Sequence, residues 1–261
     1  MVHRVAVLSD IHGVLPAAEA VLAEADVVAA DLIVLTGDIA CGPQPTHVLD
    51  LFAGLGDRVV WIRGNADREL VEYRRGMRTS IPDPIGPSAA DSLRAEQVDF
   101  LAGLPTSHTV EVDGLGEVLF CHATPRDDEE VVLVDSPAER WERVFSGLPS
   151  TVTTVVCGHT HMPYTRLAAG RLVVNPGSVG MPYGRAGAHW ALLGSGVQLR
   201  RTPLDVESAT QDIVARSTFV QAAEWADHCL NARTGEAEAF ALFAGSSADD
   251  PAHDPTGRVE G

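Results

Sequence analysis

The chain is short of what several protein classes need. Its 261 residues hold four cysteines, Cys41, Cys121, Cys157 and Cys229, with no CxxC pair, so neither a zinc ribbon nor a dithiol redox motif is encoded and reduced thiols are expected. No apolar run approaches the roughly 20 residues of a membrane span, and the run at 5–8 is too short for the core of a secretion signal. Bases are scarce: 19 against 36 acids leaves a formal charge of −17, the wrong sign for coating nucleic acid or an anionic membrane. The expectation is a cytoplasmic protein with no membrane association. What remains, 45% hydrophobic residues and 24 glycines, suits one large α/β domain, with or without a modest appendage.

Short β-branched runs end abruptly in polar residues. The run 5–8 meets Ser9-Asp10, 32–35 meets Thr36-Gly37-Asp38, and 59–62 meets Arg63-Gly64-Asn65. Further on, 118–120 precedes Cys121-His122, 155–156 precedes Cys157-Gly158-His159, and 172–174 precedes Asn175-Pro176-Gly177. Continuous apolar runs of this length predict strands covered on both faces. Helical patterns at 16–29 and 46–53 separate the first three, which predicts a βαβαβ opening with its polar punctuation at the carboxyl ends of the strands, where open α/β sheets build sites. Helices are also expected at 91–104 and at 137–145, the latter with Ser136 and Glu139 spaced as a capping box and Pro137 at its first position. Residues 190–193 and 197–200 read as antiparallel strands, and 209–216 and 219–231 as helices. The expected organisation is a main domain over 1–203, a helical extension over 204–244 and a disordered acidic tail over 245–261.

Seven groups stand at the strand ends: Asp10, His12, Asp38, Asn65, His122, His159 and His161. All are nitrogen or oxygen ligands. Asp10-Ile11-His12 and His159-Thr160-His161 each place two ligands on one side of an extended segment, because side chains repeat every second residue. Seven converging donors exceed one tetrahedral ion and suit two divalent ions of higher coordination, with Asp38 as the natural shared carboxylate. Two such ions bring four positive charges against the two negative charges of Asp10 and Asp38. The surplus would hold a hydroxide and an anionic phosphate ester, and paired ions can activate that hydroxide for in-line displacement.

The blocks Ser9-Asp10-Ile11-His12-Gly13, Thr36-Gly37-Asp38-Ile39, Arg63-Gly64-Asn65-Ala66-Asp67, Cys121-His122-Ala123-Thr124-Pro125 and Gly158-His159-Thr160-His161 together resemble the five motifs of the calcineurin-like metallophosphoesterases. Gly42-Pro43 and the run Asn175-Pro176-Gly177-Ser178-Val179-Gly180 look like the small bacterial and archaeal phosphodiesterase branch. The likeness spans about residues 3–203. It implies a four-layer α/β/β/α sandwich of two mixed β-sheets flanked by helices. It also implies one metal held by Asp10, His12, Asp38 and His161 and a second by Asp38, Asn65, His122 and His159, with His12 and Asp38 in catalytic roles and Asn65 also toward substrate. Manganese is the expected metal, with iron, zinc or nickel as alternatives. One departure stands out. Many superfamily phosphatases carry His directly after the third-motif Asn, as a proton donor to the leaving group, and this chain has Ala66. Leaving groups of low pKa, and phosphodiesters over monoesters, are therefore expected.

Asp67 reads as a residue that orients a ligand or its loop. Arg126 reads as a phosphate contact or as the ion-pair partner of Asp127 or Asp128, and Arg74, Arg75 and Arg78 as a solvated helix face or a substrate entrance. The cysteines beside ligands lack an activating base, and His3, His47, His108, His189, His228 and His253 lack a partner pattern. The partner expected is a small phosphate ester, with a homo-oligomer left open. A non-enzymatic interaction scaffold and a metal-dependent nuclease are the competing readings. None of the seven ligands is missing, against the first, and the acidic balance weighs against the second.

Overall fold

In the computed structural model, which describes residues 2–248, the βαβαβ opening is present. Strands β1 (Val5–Leu8), β2 (Leu32–Thr36) and β3 (Val59–Ile62) run parallel, with Val5 opposite Leu32 and Ile33 opposite Val59. A second sheet is built from β4 (Ser107–Val112), β5 (Gly116–Cys121), β6 (Val152–Val156), β7 (Tyr164–Ala168) and β8 (Arg171–Asn175). Strands β9 (Ala188–Leu193) and β10 (Val197–Thr202) then return to the first sheet, antiparallel to β1 and to each other. The orders are β10-β9-β1-β2-β3 and β4-β5-β6-β8-β7, each a mixed sheet of five strands.

Alternation along the strands makes the layers. Val5 and Val7 face the second sheet and pack with Val118, Phe120, Val156 and Val174, while Ala6 and Leu8 face helices. On the second sheet, Leu119, Cys121, Val155 and Cys157 turn outward onto Trp141, Val144 and Phe145 of α7 (Ala138–Val144) and the residue after it. Both faces of each sheet are thus buried, which is why the strands read as unbroken apolar runs. The result is the expected four-layer α/β/β/α sandwich.

Helices depart from the sequence expectation where tertiary contacts outweigh local pattern. The helix expected over 16–29 is two, α1 (Leu15–Leu22) and α2 (Ala25–Val28), because Glu24 turns extended and its carboxylate accepts from the Thr202 hydroxyl at 2.8 Å. The next helix, α3 (Pro45–Ala53), starts one residue earlier than expected. The irregular middle contains α4 (Asn65–Arg74), and the helix expected over 91–104 is split into α5 (Gly86–Ser92) and α6 (Ala95–Ala102). Arg74 supports that split by donating to the carbonyls of Ala90 and Leu93, which a helix end leaves open. The Ser136–Glu139 capping box is not formed: Pro137 is the N-cap residue, and the Ser136 hydroxyl accepts instead from the Leu133 amide.

Beyond β10 lie α8 (Val206–Arg216), capped by the Asp205 carboxylate on Ser208 N, α9 (Ala222–Leu230) and α10 (Glu236–Ala248). Ala209, Ile213, Ala222, Ala226 and Leu230 belong to the same buried cluster as α1 and α3, so α8 and α9 complete the first helical layer. α10 lies mostly within the helical extension expected over 204–244, beyond the helices placed there, and it runs through 245–248, the start of the expected tail; residues 249–261 lie outside the described residues. Among the described residues, no helix is long and apolar enough to cross a membrane.

Candidate metal centre

The carboxyl ends of β1, β2, β3, β5 and β6 open on one edge of the sandwich, and the structure brings all seven strand-end residues to it. Five of them, Asp10, His12, Asp38, His159 and His161, have positive φ, between 47° and 66°. A non-glycine residue there is strained by about 1–3 kcal/mol, and such residues concentrate at functional sites. Backbone bonds hold the strained turns: Asp10 N donates to Gly37 O at 3.1 Å and His12 N to Asp38 O at 2.9 Å. The Ser178 hydroxyl donates to Asp10 O at 2.7 Å, and His159 N to the Asp10 carboxylate at 3.1 and 3.2 Å. Two glycines let the loops close on the carboxylates. A Cβ on Gly64 would lie 2.1 Å from Asp38 Oδ1, and one on Gly158 would lie 2.6 Å from Asp10 Oδ2.

The side chains form two clusters, Asp10 with His12 and His161, and Asp38 with His122 and His159, with the offered ligand atoms of each cluster within 4.8 Å of one another. Asp38 lies between them: its Oδ2 is 3.3 Å from His122 Nε2 and 3.8 Å from His12 Nε2. Asn65 Oδ1 meets His122 Nε2 at 3.0 Å. Asp10 Oδ1 lies 3.3 Å from His161 Nε2.

The residues fit a pair of cations. His12 Nδ1 faces Cys41 O at 3.0 Å, His122 Nδ1 faces Thr36 O at 2.7 Å, and His161 Nδ1 faces Met181 O at 2.8 Å. A carbonyl only accepts, so each Nδ1 carries a proton and each ring turns its Nε2 inward, the nitrogen placed to ligate. His12 Nε2 and His161 Nε2 lie 3.2 Å apart, close enough for both to ligate one cation. Opposite charges offset one another within the clusters. Burial alone would raise the Asp38 carboxyl, yet His122, His12 and His159 hold it well below the usual range. Burial would lower His122, but Asp38 lifts it to about 10. Burial and the neighbouring His122 push His159 down to about 4, leaving it neutral and able to ligate.

Asp67 sits behind the ligands. It is fully buried; Oδ1 accepts from Ile39 N and Ala40 N at 2.9 and 3.0 Å, and Oδ2 from Gly64 N at 3.1 Å. It therefore ties the loop after Asp38 to the loop that carries Asn65. Burial and the nearby Asp38 push its carboxyl up to about 7 against those donors.

The sequence profile of the calcineurin-like phosphoesterase superfamily domain matches residues 4–195. The chain belongs to this superfamily. Among solved structures, a protein of Pyrococcus horikoshii OT3 superposes with a TM-score of 0.74 at 20% identity, over 89% of this chain and 99% of its own. A metallophosphoesterase from Sphaerobacter thermophilus gives 0.65 at 23% identity, over 81% and 93%. No curated protein sequence matches the chain.

Other residues of this calcineurin-like phosphoesterase fall out as follows. Arg126 pairs with Glu130, its Nε 2.7 Å from Oε2, and not with Asp127 or Asp128. Asp128 is held by Arg68 instead, with bonds of 2.9 and 3.0 Å. Arg74 serves α5, Arg75 pairs with Asp99, and Arg78 pairs with Glu69 and Glu72, so none of the three is committed to a substrate entrance. Asn175 donates to Gly158 O at 2.7 Å and to Thr160 Oγ1 at 3.1 Å, bracing the loop of His159 and His161. Sequence reasoning gave no role to Arg63, which stood inside a quoted motif. Its Nε is buried without a hydrogen-bond partner among the described residues, and it lines a pocket of about 230 Å³ with Arg68, His122, Thr124, Arg126, Asp127 and Asp128. Ser178 was missed as a prop for Asp10, and Tyr183 and Phe243 as neighbours of His161 and His159.

Among the described residues, all four cysteines are free and buried. Burial raises every thiol, to about 12 at Cys157 and Cys229 and well above the ordinary value at Cys41 and Cys121. Native protein at pH 8 is therefore expected to give less than one equivalent with a thiol-specific disulfide reagent, and four after denaturation. A fast-reacting thiol in the native state would contradict this packing.

Proposed function

We propose that the chain is a di-metal phosphoesterase, with manganese as its metal and phosphodiesters of acidic leaving groups as its preferred substrates. The observation that supports this most is the inward set of imidazole Nε2 nitrogens and two buried carboxylates, in two clusters that meet at Asp38. Asp10, His12 and His161 would hold one ion, and His122, His159 and Asn65 the other, with Asp38 shared. Bound there, two divalent ions would supply Lewis acidity to the phosphoryl oxygens and lower the pKa of a water between them.

The protein's own groups do the rest. The backbone bonds to Cys41, Thr36 and Met181 fix the ring orientations, so Nε2 of each is the nitrogen turned toward a metal. Asp67 keeps the Asp38 and Asn65 loops in register. Arg63, without a side-chain ion pair or hydrogen bond among the described residues and beside His122, offers a guanidinium to an anionic phosphoryl group. At the place where a proton donor would stand, Ala66 contributes only its backbone amide, which donates to Asp38 Oδ1 at 2.8 Å. The leaving group must then depart with little protonation, which favours a low leaving-group pKa.

The test is hydrolysis of a series of aryl phosphodiesters, bis-p-nitrophenyl phosphate included, by protein stripped with chelator and reloaded with manganese. Activity is expected only after reloading, with rates falling steeply as leaving-group pKa rises. Protein that takes up no manganese, iron, zinc or nickel by elemental analysis and hydrolyses nothing would end the proposal. Rates flat across the series would remove the leaving-group argument.

A further inference from the structure

Aromatic side chains are few, seven Phe, four Trp and three Tyr, yet two of them, Tyr183 and Phe243, lie against metal-centre imidazoles. α10 supplies Phe243. Ala239 and Phe240 pack with Val131, Leu133, Met162 and Tyr183, which anchors the first turns of the helix. The segment before it is tied down where Gly184 N donates to Thr234 O at 3.0 Å. One turn after Ala239, Phe243 leaves the same face, while Leu242 points away and is 60% exposed. Phe243 meets His159 edge-on, with ring centroids 5.8 Å apart at 65°, and meets Tyr183 at 6.3 Å and 67°. Tyr183 lies nearly flat against His161, at 5.2 Å and 18°.

Holding a metal does not require this wall. His161 is already oriented by its bond to Met181 O, and its ligand partner Asp10 stands 3.3 Å from its Nε2. The wall also draws on a helix beyond residue 195, where the superfamily match ends. Around the centre the chemistry is divided: the His122 side opens on the pocket of Arg63, Arg68, Thr106 and Thr124, and the His159–His161 side is aromatic. An ester that is anionic at phosphorus and planar at one oxygen substituent matches that division. Rings prefer offset or edge-to-face contact with other rings, and such stacking tolerates many ring identities.

We propose that Phe243, together with Tyr183, forms the specificity-determining surface of the site and selects phosphodiesters that carry a planar aromatic ester group. This rests on the phosphoesterase reading above and adds its substrate class. Phe243 would touch the ester group and not the reacting atoms, so its effect falls on binding.

The experiment is titration calorimetry of the manganese-loaded full chain with phenylphosphonate and with methylphosphonate, for wild type, Phe243→Leu and Phe243→Ala. Wild type is expected to prefer phenylphosphonate by about tenfold or more, the range that ring stacking supports. Phe243→Leu keeps an apolar side chain to dock α10 but removes the ring, and should cut the preference to about twofold with methylphosphonate affinity unchanged. Phe243→Ala should do the same, and the Leu variant decides if α10 detaches. KM for bis-p-nitrophenyl phosphate should rise with kcat held within about twofold. Equal binding of the two phosphonates by wild type, or a preference that survives in Phe243→Leu, overturns this inference while leaving the phosphoesterase reading intact. Failure of wild type to bind either phosphonate overturns both.

Discussion

Asp38→Asn is expected to lower kcat/KM for bis-p-nitrophenyl phosphate by at least about 10³ and to reduce bound manganese from two ions per chain to one or none. The substitution keeps the shape of the side chain. One amide oxygen can still accept from Ala66 N, as Asp38 Oδ1 does at 2.8 Å. The other position becomes an NH₂ group facing His122 Nε2 and His12 Nε2, which now lie 3.3 and 3.8 Å from Oδ2. An NH₂ group repels a cation, and the negative charge shared by both clusters is gone. Charge stabilisation by metal ions is worth several kcal/mol in a phosphoryl transition state, and about 4 kcal/mol corresponds to about 10³ in rate. Activity within tenfold of wild type, with two ions still bound, would show that Asp38 is not the shared ligand. Folding should survive, since the amide retains the helix-start contact at α4; far-ultraviolet circular dichroism of the variant checks that.

Removing the metal should be nearly as visible in stability. A ligand that binds only the folded chain adds about 4 kcal/mol when present at about 1,000 times its Kd. In a chain of this size that is worth about 8–16 °C in Tm for the first ion alone. Excess manganese is therefore expected to raise Tm by at least that range over chelator-treated protein in a calorimetric scan. The structure gives a reason for the centre to depend on its ions. Five ligand residues hold left-handed backbone, and two buried carboxylates face four imidazoles across short distances. Without cations, the imidazoles of His122 and His161, both raised by the carboxylates beside them, offset Asp38 and Asp10, and a bound metal ion takes over that charge balance. A Tm that does not move between chelator and manganese would show that this edge is assembled without an ion.

Eight of the ten strands among the described residues and the seven strand-end groups could be read directly, because buried strands leave unbroken β-branched runs and a polar residue interrupts them only where the chain leaves the core; the edge strands β4 and β7, half exposed, leave no such run. Helix ends were harder. Glu24 leaves the helix to reach Thr202, and Arg74 takes the carbonyls at the end of α5; both partners are remote in sequence. Ser136 and Glu139 had the right spacing for a cap, but the Ser136 hydroxyl has a competing donor in Leu133 N. Arg126 stood beside two aspartates and pairs with neither, because its guanidinium is closer to Glu130 one helical turn's worth of residues away. α10 was invisible for another reason. Its Ala, Gly and Ser content and flanking acids match the composition of a solvated segment, and only its contact with Met162, Tyr183 and His159 shows what its apolar side is for.

By itself the amino-acid order determined the class of chemistry. Nitrogen and oxygen donors, two to a motif at alternate positions, follow runs that must become buried strands, and that is a matter of local periodicity and side-chain type. Tertiary structure alone decided which nitrogen of each imidazole faces inward, since the carbonyls of Cys41, Thr36 and Met181 that hold the outer nitrogens come from other loops. It also decided that Arg63 Nε is buried without a hydrogen-bond partner among the described residues and which aromatic rings stand beside His159 and His161. Those are questions of distance between segments far apart in the chain, and distance is set by how the two sheets and their helices pack.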